Sequence, residues 1–227
     1  MPQWPEFTRD DCPPGLPQDL VDLLPGLHAA CVVIVEASYE HDLLRALNSA
    51  AFISRVNGTP VMPGVQIVIT SVVDSLIVAL CSVFDPDYRG IDLKPIVNRF
   101  CDPNHVPVFE DWHRARRVVT EQSRRRLVRL QRRLGRNPFE RSLERIRGLR
   151  RKGIAHIDLT VQPGFDWPYV RDITIVLAAS ANLTTALLHY ATQRRFDVRK
   201  SRDHGLRYAA AFADSIRPLS LDCNERS

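Results

Sequence analysis

Lysine is nearly missing from this 227-residue chain: only three of its 31 basic residues are lysines, the rest arginines. Arginine carries a planar, permanently charged fork that fits phosphate bidentately, so the bias suits anion recognition, and GC-rich coding favours it too. Aromatic residues are few, at 7%, so aliphatic side chains must build the core. The five cysteines, Cys12, Cys31, Cys81, Cys101 and Cys223, are scattered, odd in number and never spaced C-x-x-C. That argues against a disulfide scaffold and against a zinc site, and no metal or other cofactor is expected. The opening MPQWPEFTRDDCPPG has no apolar stretch of the kind a secretory signal needs, so a reducing cytoplasm is the expected compartment.

What is present is unevenly placed. Residues 111–152 hold fifteen arginines and one lysine against Asp111, Glu121, Glu140 and Glu144, a net charge of +12. The whole chain carries only +5, so the remainder is acidic at −7. An acidic body with one very basic segment is the charge pattern of a phosphate-backbone binder. A solvated helix face whose arginine stems cover aliphatic core would give the same count. Arg124, Arg125, Arg126 and Arg147 are the expected RNA-binding residues.

Hydrophobic spacing predicts an all-α fold: a helical bundle of four or more long helices with short accessory helices. A short helix is expected over Gln18–Leu24, closed by Pro25-Gly26. One long helix, or two in line, follows over Leu27–Ile53, and Asn57-Gly58-Thr59-Pro60 breaks the chain. Val65–Phe84 is rich in β-branched residues but too long for a strand, so helix is expected. It is also long enough to cross a membrane, but Asp74 sits at its centre, which costs roughly 2.5–3.5 kcal/mol on insertion. A buried core helix, the most buried of the fold, is therefore expected, with Asp74 satisfying a buried donor such as an arginine of the basic helix, and no membrane partner is expected. Asp85-Pro86-Asp87 stops that helix. Asp92 is placed to cap a short helix ending at Phe100, with Lys94-Pro95 in its first turn. Further helices are expected over Phe109–Leu134, Pro138–Ile154 and Trp167–Arg195, and a shorter one over Gly205–Ile216. Leu159–Val161 alone is strand-like. The organisation read from this is an irregular N-terminal segment, 1–26, a helical domain, 27–196, and a charged tail, 197–227.

One segment carries candidate chemistry: Arg147-Gly148-Leu149-Arg150-Arg151-Lys152-Gly153-Ile154-Ala155-His156-Ile157-Asp158. It ends a basic helix. A histidine near a helix C-terminus gains a proton from the dipole, which suits acid–base work near neutral pH. RNA cleavage needs a group to move protons and a fixed cation for the phosphorane charge, while the RNA's own 2′-hydroxyl attacks. A hydrogen-bonded histidine near the core, wedged between Ala155 and Ile157, is the plain alternative.

The run Arg151-Lys152-Gly153-Ile154-Ala155-His156-Ile157-Asp158 resembles the R-x(4–6)-H motif of HEPN domains, most of all the abortive-infection, AbiU-type branch. The bare spacing is uninformative, since four Arg–His pairs in this chain satisfy it; the helix end, the A-H-I-D ending and the basic helix before it carry the likeness. In outline, helix order extends the likeness over residues 27–195. The resemblance implies a metal-independent endoribonuclease of a toxin–antitoxin or phage-defence system. It implies a homodimer with a cognate antitoxin protein as further partner, and a 2′,3′-cyclic phosphate product. On that pattern Arg151 steadies the phosphate and His156 handles protons, with Arg150, Lys152 and Asp158 in support. Lys152 departs from the family, which usually carries Asn, Asp or His there. Three readings follow: this nuclease, a non-catalytic HEPN-like module binding RNA or a protein, and a structural helical protein whose basic face meets an acidic partner.

Overall fold

The computed structural model describes residues 6–84, 91–115, 120–151, 168–192 and 198–216. Helices account for nearly all of it: α1 (Gln18–Val21), α2 (Leu24–Leu47), α3 (Ala50–Val56), α4 (Met62–Phe84), α5 (Leu93–Phe100), α6 (Val106–Ala115), α7 (Thr120–Leu134), α8 (Phe139–Arg151), α9 (Pro168–Ala191) and α10 (Val198–Ser215). Two 3-10 turns, Arg9–Asp11 and Pro103–His105, complete the set, and no strand occurs among the described residues. The protein is an all-α helical bundle. Leu159–Val161 and the stop at Asp85–Asp87 lie outside the described residues.

Local chemistry sets most helix starts. Ser49 accepts from the Phe52 amide to begin α3, and Asp92 accepts from the Lys94 amide at 3.0 Å to begin α5, as its placement predicts. Gly58 adopts φ +75° in the break before α4, a left-handed conformation that glycine reaches without a Cβ penalty. Pro25, by contrast, does not close a preceding helix. It sits in the first turn of α2, where its missing N–H has no intrahelical partner to lose. At Gly26 an added Cβ would lie 3.3 Å from Ile96 Cδ1, so α5 closes tightly over the start of α2. The single helix expected over Phe109–Leu134 is described as α6 and α7, with 116–119 outside the described residues.

Two helices form the centre. α2 packs against α4, α5, α9 and α10, and α9 against α2, α4, α5, α7 and α8. Leu27, Ile34, Leu44 and Leu47 of α2 are fully buried, as are Ile173, Val176, Leu183, Leu187 and Leu188 of α9. The polar residues midway along α2 also turn inward. His41 is buried, and its Nε2 meets the Thr174 hydroxyl of α9 at 2.8 Å. That hydroxyl donates to the Val170 carbonyl, so the imidazole must donate to it. The N-terminal segment is part of the same core, since Cys12, Leu16 and Leu20 are buried. α10 lies along α2 on the small side chains Ala209 and Ala213; Arg55 of α3 donates to the Ala213 carbonyl and pairs with Asp214 at 3.7 Å.

The apolar α4 is not the most buried helix. Val65, Ile69, Val73, Leu76, Ile77 and Leu80 face the core, but Ile67 and Val78 are 67% and 41% exposed on its other side. Asp74 lies on that outer side between them, partly buried, and among the described residues it has no hydrogen bond or ion pair, so none of their arginines is the expected partner. One of its oxygens is sealed, and burial raises its pKa above the ordinary value of 3.8. A carboxyl whose pKa is raised by folding is stabilising when protonated; that contribution fades as pH rises through the folded pKa. Asp74→Asn is therefore expected to flatten the loss of stability between the ordinary carboxylate range and neutral pH. Unfolding midpoints measured across that range check it, and parallel curves for parent and variant would contradict it.

By length and composition, Gln18–Leu47, Met62–Phe84 and Val170–Ala191 are each apolar enough to cross a membrane. In the bundle all three pack on one another.

A candidate nucleic-acid interface on α7 and α8

α7 reads TEQSRRRLVRLQRRL, and helical geometry divides its arginines into two kinds. Leu127 and Leu134 are buried, with Leu130 and Val128 partly so, and they seat α7 against α9. Arg125, Arg126, Arg129, Arg132 and Arg133 project from the opposite side, within roughly one third of the circumference at 100° per residue. All five are exposed. Arg136, in the loop after α7, and Arg141, on α8, are exposed as well. Arg126, Arg129, Arg132, Arg133, Arg136 and Arg141 make no ion pair among the described residues, although Arg129 Nε donates to the Arg125 carbonyl at 3.3 Å, which leaves six guanidinium groups without an acidic partner there.

The remaining cations near this face are occupied. Arg124 turns toward the protein, 23% exposed, and both it and Arg125 bind Glu121. Arg145 reaches Asp172 of α9 at 3.2 Å, a carboxylate that also accepts from the buried Ser142 at 2.7 Å. Arg147 donates to the Phe84 carbonyl at 2.7 Å and so satisfies the C-terminal end of α4. Its side chain is 21% exposed. Lys94 of α5 holds Glu140 at 3.0 Å.

Of the four expected RNA contacts, then, Arg125 and Arg126 lie on the open face, while Arg124 and Arg147 are turned to structural partners. The face also includes Arg129, Arg132, Arg133, Arg136 and Arg141, which were not singled out from the sequence. The signal was there in the period of 3.6. Arg124 precedes the buried Leu127 by three residues and shares its side of the helix, whereas Arg129 and Arg133 follow Arg125 at steps of four.

The open face is not explained by stability. Arg132 and Arg133 do complement the helix dipole in the last turn. Against that, Arg125–Arg129 and Arg129–Arg133 are like-charge pairs at four-residue spacing, each unfavourable by about 0.2–0.5 kcal/mol. Among the described residues, the arginines of the face other than Arg125 have no acidic partner, which leaves their charge available to something outside the fold.

Behind α7 lies a buried aromatic group. Tyr190 of α9 packs its ring against Phe109 at 4.6 Å and against His113 at 5.0 Å, and His113 Nε2 donates to the Tyr190 carbonyl at 2.9 Å. The Tyr190 hydroxyl is buried with no hydrogen-bond partner, and burial raises its pKa. An unsatisfied buried hydroxyl costs about 1–3 kcal/mol. Tyr190→Phe is therefore expected to stabilise the protein by about 1 kcal/mol, read as a higher midpoint in urea. A lower midpoint would mean that the hydroxyl has a partner. Cys12, Cys31, Cys81 and Cys101 are buried; burial pushes the Cys101 thiol up to about 11, which leaves it a poor nucleophile.

The motif residues sit beside this face only in part. Arg150 lies in the last turn of α8, and Arg151 is the final residue of that helix. The side chain of Arg151, together with Lys152, His156 and Asp158, lies outside the described residues.

No family of known proteins, no curated protein and no solved structure matches the chain. The fold and face define an all-α bundle bearing exposed arginines on α7, α8 and the loop between them, six of them without an acidic partner among the described residues.

Proposed function

We propose that the α7–α8 face binds the phosphate backbone of RNA in the cytoplasm. The six exposed arginines without an acidic partner among the described residues carry this reading: they supply fixed positive charge that no carboxylate there neutralises. Guanidinium groups bind phosphate through charge-assisted, bidentate hydrogen bonds, and each contact releases condensed counterions. Such contacts hold a strand without reading its sequence.

In its fuller form the reading makes the protein a HEPN-like, metal-independent endoribonuclease of a toxin–antitoxin or phage-defence system, dimeric and held in check by an antitoxin. The face would gather RNA, and the end of α8 would deliver it to Arg151 and His156. A non-catalytic HEPN-like module would use the same face without the chemistry.

The binding step is tested by fluorescence anisotropy with a labelled single-stranded RNA, beside an oligonucleotide of the same sequence with an uncharged methylphosphonate backbone. Saturable binding of the RNA alone is the expected result. Equal binding of both would show that phosphate is not what the protein holds.

A further inference from the structure

α7 has a single acidic residue, and its geometry is unlike that of the other acids near the face. The Glu121 carboxylate accepts from Arg124 through Nε at 2.9 Å and Nη2 at 3.2 Å, and from Arg125 Nε at 2.7 Å. Glu140 and Glu144 engage Lys94 and Arg147, neither of which belongs to the open face. Among the ion pairs of the described residues, that of Glu121 engages a residue of the face itself: Arg125, whose side chain is 72% exposed. It does so on the Nε edge, which a phosphate needs for side-on bidentate contact.

Resting on the RNA-binding reading, we propose that Glu121 is a built-in phosphate mimic that closes the N-terminal end of the face. With Glu121 in place, Arg125 is neutralised and the working surface begins at Arg126. A strand approaching this end meets a carboxylate where the next phosphate would sit, so Glu121 sets where the bound strand stops. Arg124 anchors the carboxylate from the protein side and keeps it aimed at Arg125. The paired guanidinium groups hold Glu121 ionised, with its pKa down to about 2, so it competes at every pH the protein meets.

The proposal makes the contribution of Arg125 conditional on Glu121, and a double-mutant cycle reads that condition directly. The probe is an oligouridylate, and the observable is the slope of log binding constant against log salt for the parent, E121Q, R125A and E121Q/R125A. In the parent, Arg125→Ala is expected to change affinity and slope much less than it does in the E121Q background. Glu121→Gln is expected to raise affinity several-fold and steepen the slope by about 0.7, the increment for one additional phosphate contact on a single strand. Adding Arg125→Ala to that variant is expected to cancel the gain. Because a glutamine oxygen can still accept from arginine, Glu121→Ala is run in parallel and should match or exceed the gain. Circular dichroism of each variant checks that α7 is intact.

If Arg125→Ala flattens the slope by about 0.7 in the parent, Arg125 already contacts RNA and the proposal fails. If the gain from E121Q survives loss of Arg125, Glu121 acts only through long-range charge, and the proposal fails while the RNA-binding reading stands. If the parent shows no salt-dependent binding at all, both fail together.

Discussion

Replacing Arg129, Arg132 and Arg133 together by glutamate is expected to weaken RNA binding on the order of a hundredfold at near-physiological salt, and to flatten its salt dependence by about 2 units of slope. The three side chains are exposed and have no acidic partner, so their reversal removes phosphate contacts without opening the core. The change exchanges the Arg129–Arg133 like-charge pair for an acidic one but lets the new acids engage Arg125, Arg126 and Arg136, so α7 should remain folded, as circular dichroism would check. The loss should be alike for RNAs of unrelated sequence, because phosphate contacts position a strand and do not read it. The control is Arg145→Glu on the neighbouring helix. That cation serves Asp172, and its reversal is expected to lower stability and to cost far less affinity than the triple change. A triple variant that binds like the parent would reduce the arginine face to a solvated surface.

The second large effect concerns chemistry. If the fuller reading holds, His156→Ala and Arg151→Ala each slow RNA cleavage by about 10²–10⁴-fold, the usual contribution of a positioned proton-transfer group. EDTA leaves the rate unchanged, and the product ends in a 2′,3′-cyclic phosphate. Arg151 and His156 are five residues apart, about 140° around an ideal helix, so they do not converge on one straight helix. α8 is described as far as Arg151, and His156 lies outside the described residues. Pairing of two chains would supply both an acid and a base to one groove. Cleavage at the parent rate in both variants would remove the catalytic assignment and leave the binding face intact. The double result therefore separates the nuclease from the non-catalytic module.

Helices were legible in the sequence wherever a local rule governs them. Asp92 announces α5, Asn57-Gly58 announces the break before α4, and the spacing of Phe139, Leu143 and Ile146 gives the buried side of α8. What failed were inferences about partners. Val65–Phe84 looks like the centre of the fold because nearly every residue is apolar, but burial depends on which faces are covered, and among the described residues the side bearing Ile67 and Val78 is left exposed. α2, with Glu36, Ser38, Glu40, His41 and Asp42 midway, looks amphipathic yet occupies the centre. Two of its polar groups find partners that are remote in sequence, His41 at Thr174 and Glu40 at Ser75. Pro25-Gly26 was ambiguous for a different reason: proline is favoured in a first turn and also ends helices, and only the chain on either side decides between them. The basic segment was plain from composition, but which arginines are free depends on Glu121, Asp172 and the Phe84 carbonyl, and two of those three are far away in sequence.

The most direct test of the central claim is the salt dependence of RNA binding by the unmodified protein. Six free arginines, each neutralising one phosphate of a single strand, give a slope of log binding constant against log salt near −4. A steep slope of that size, shared by RNAs of unrelated sequence, is the predicted result. Binding whose strength barely changes with salt, or no binding at low salt, would contradict it.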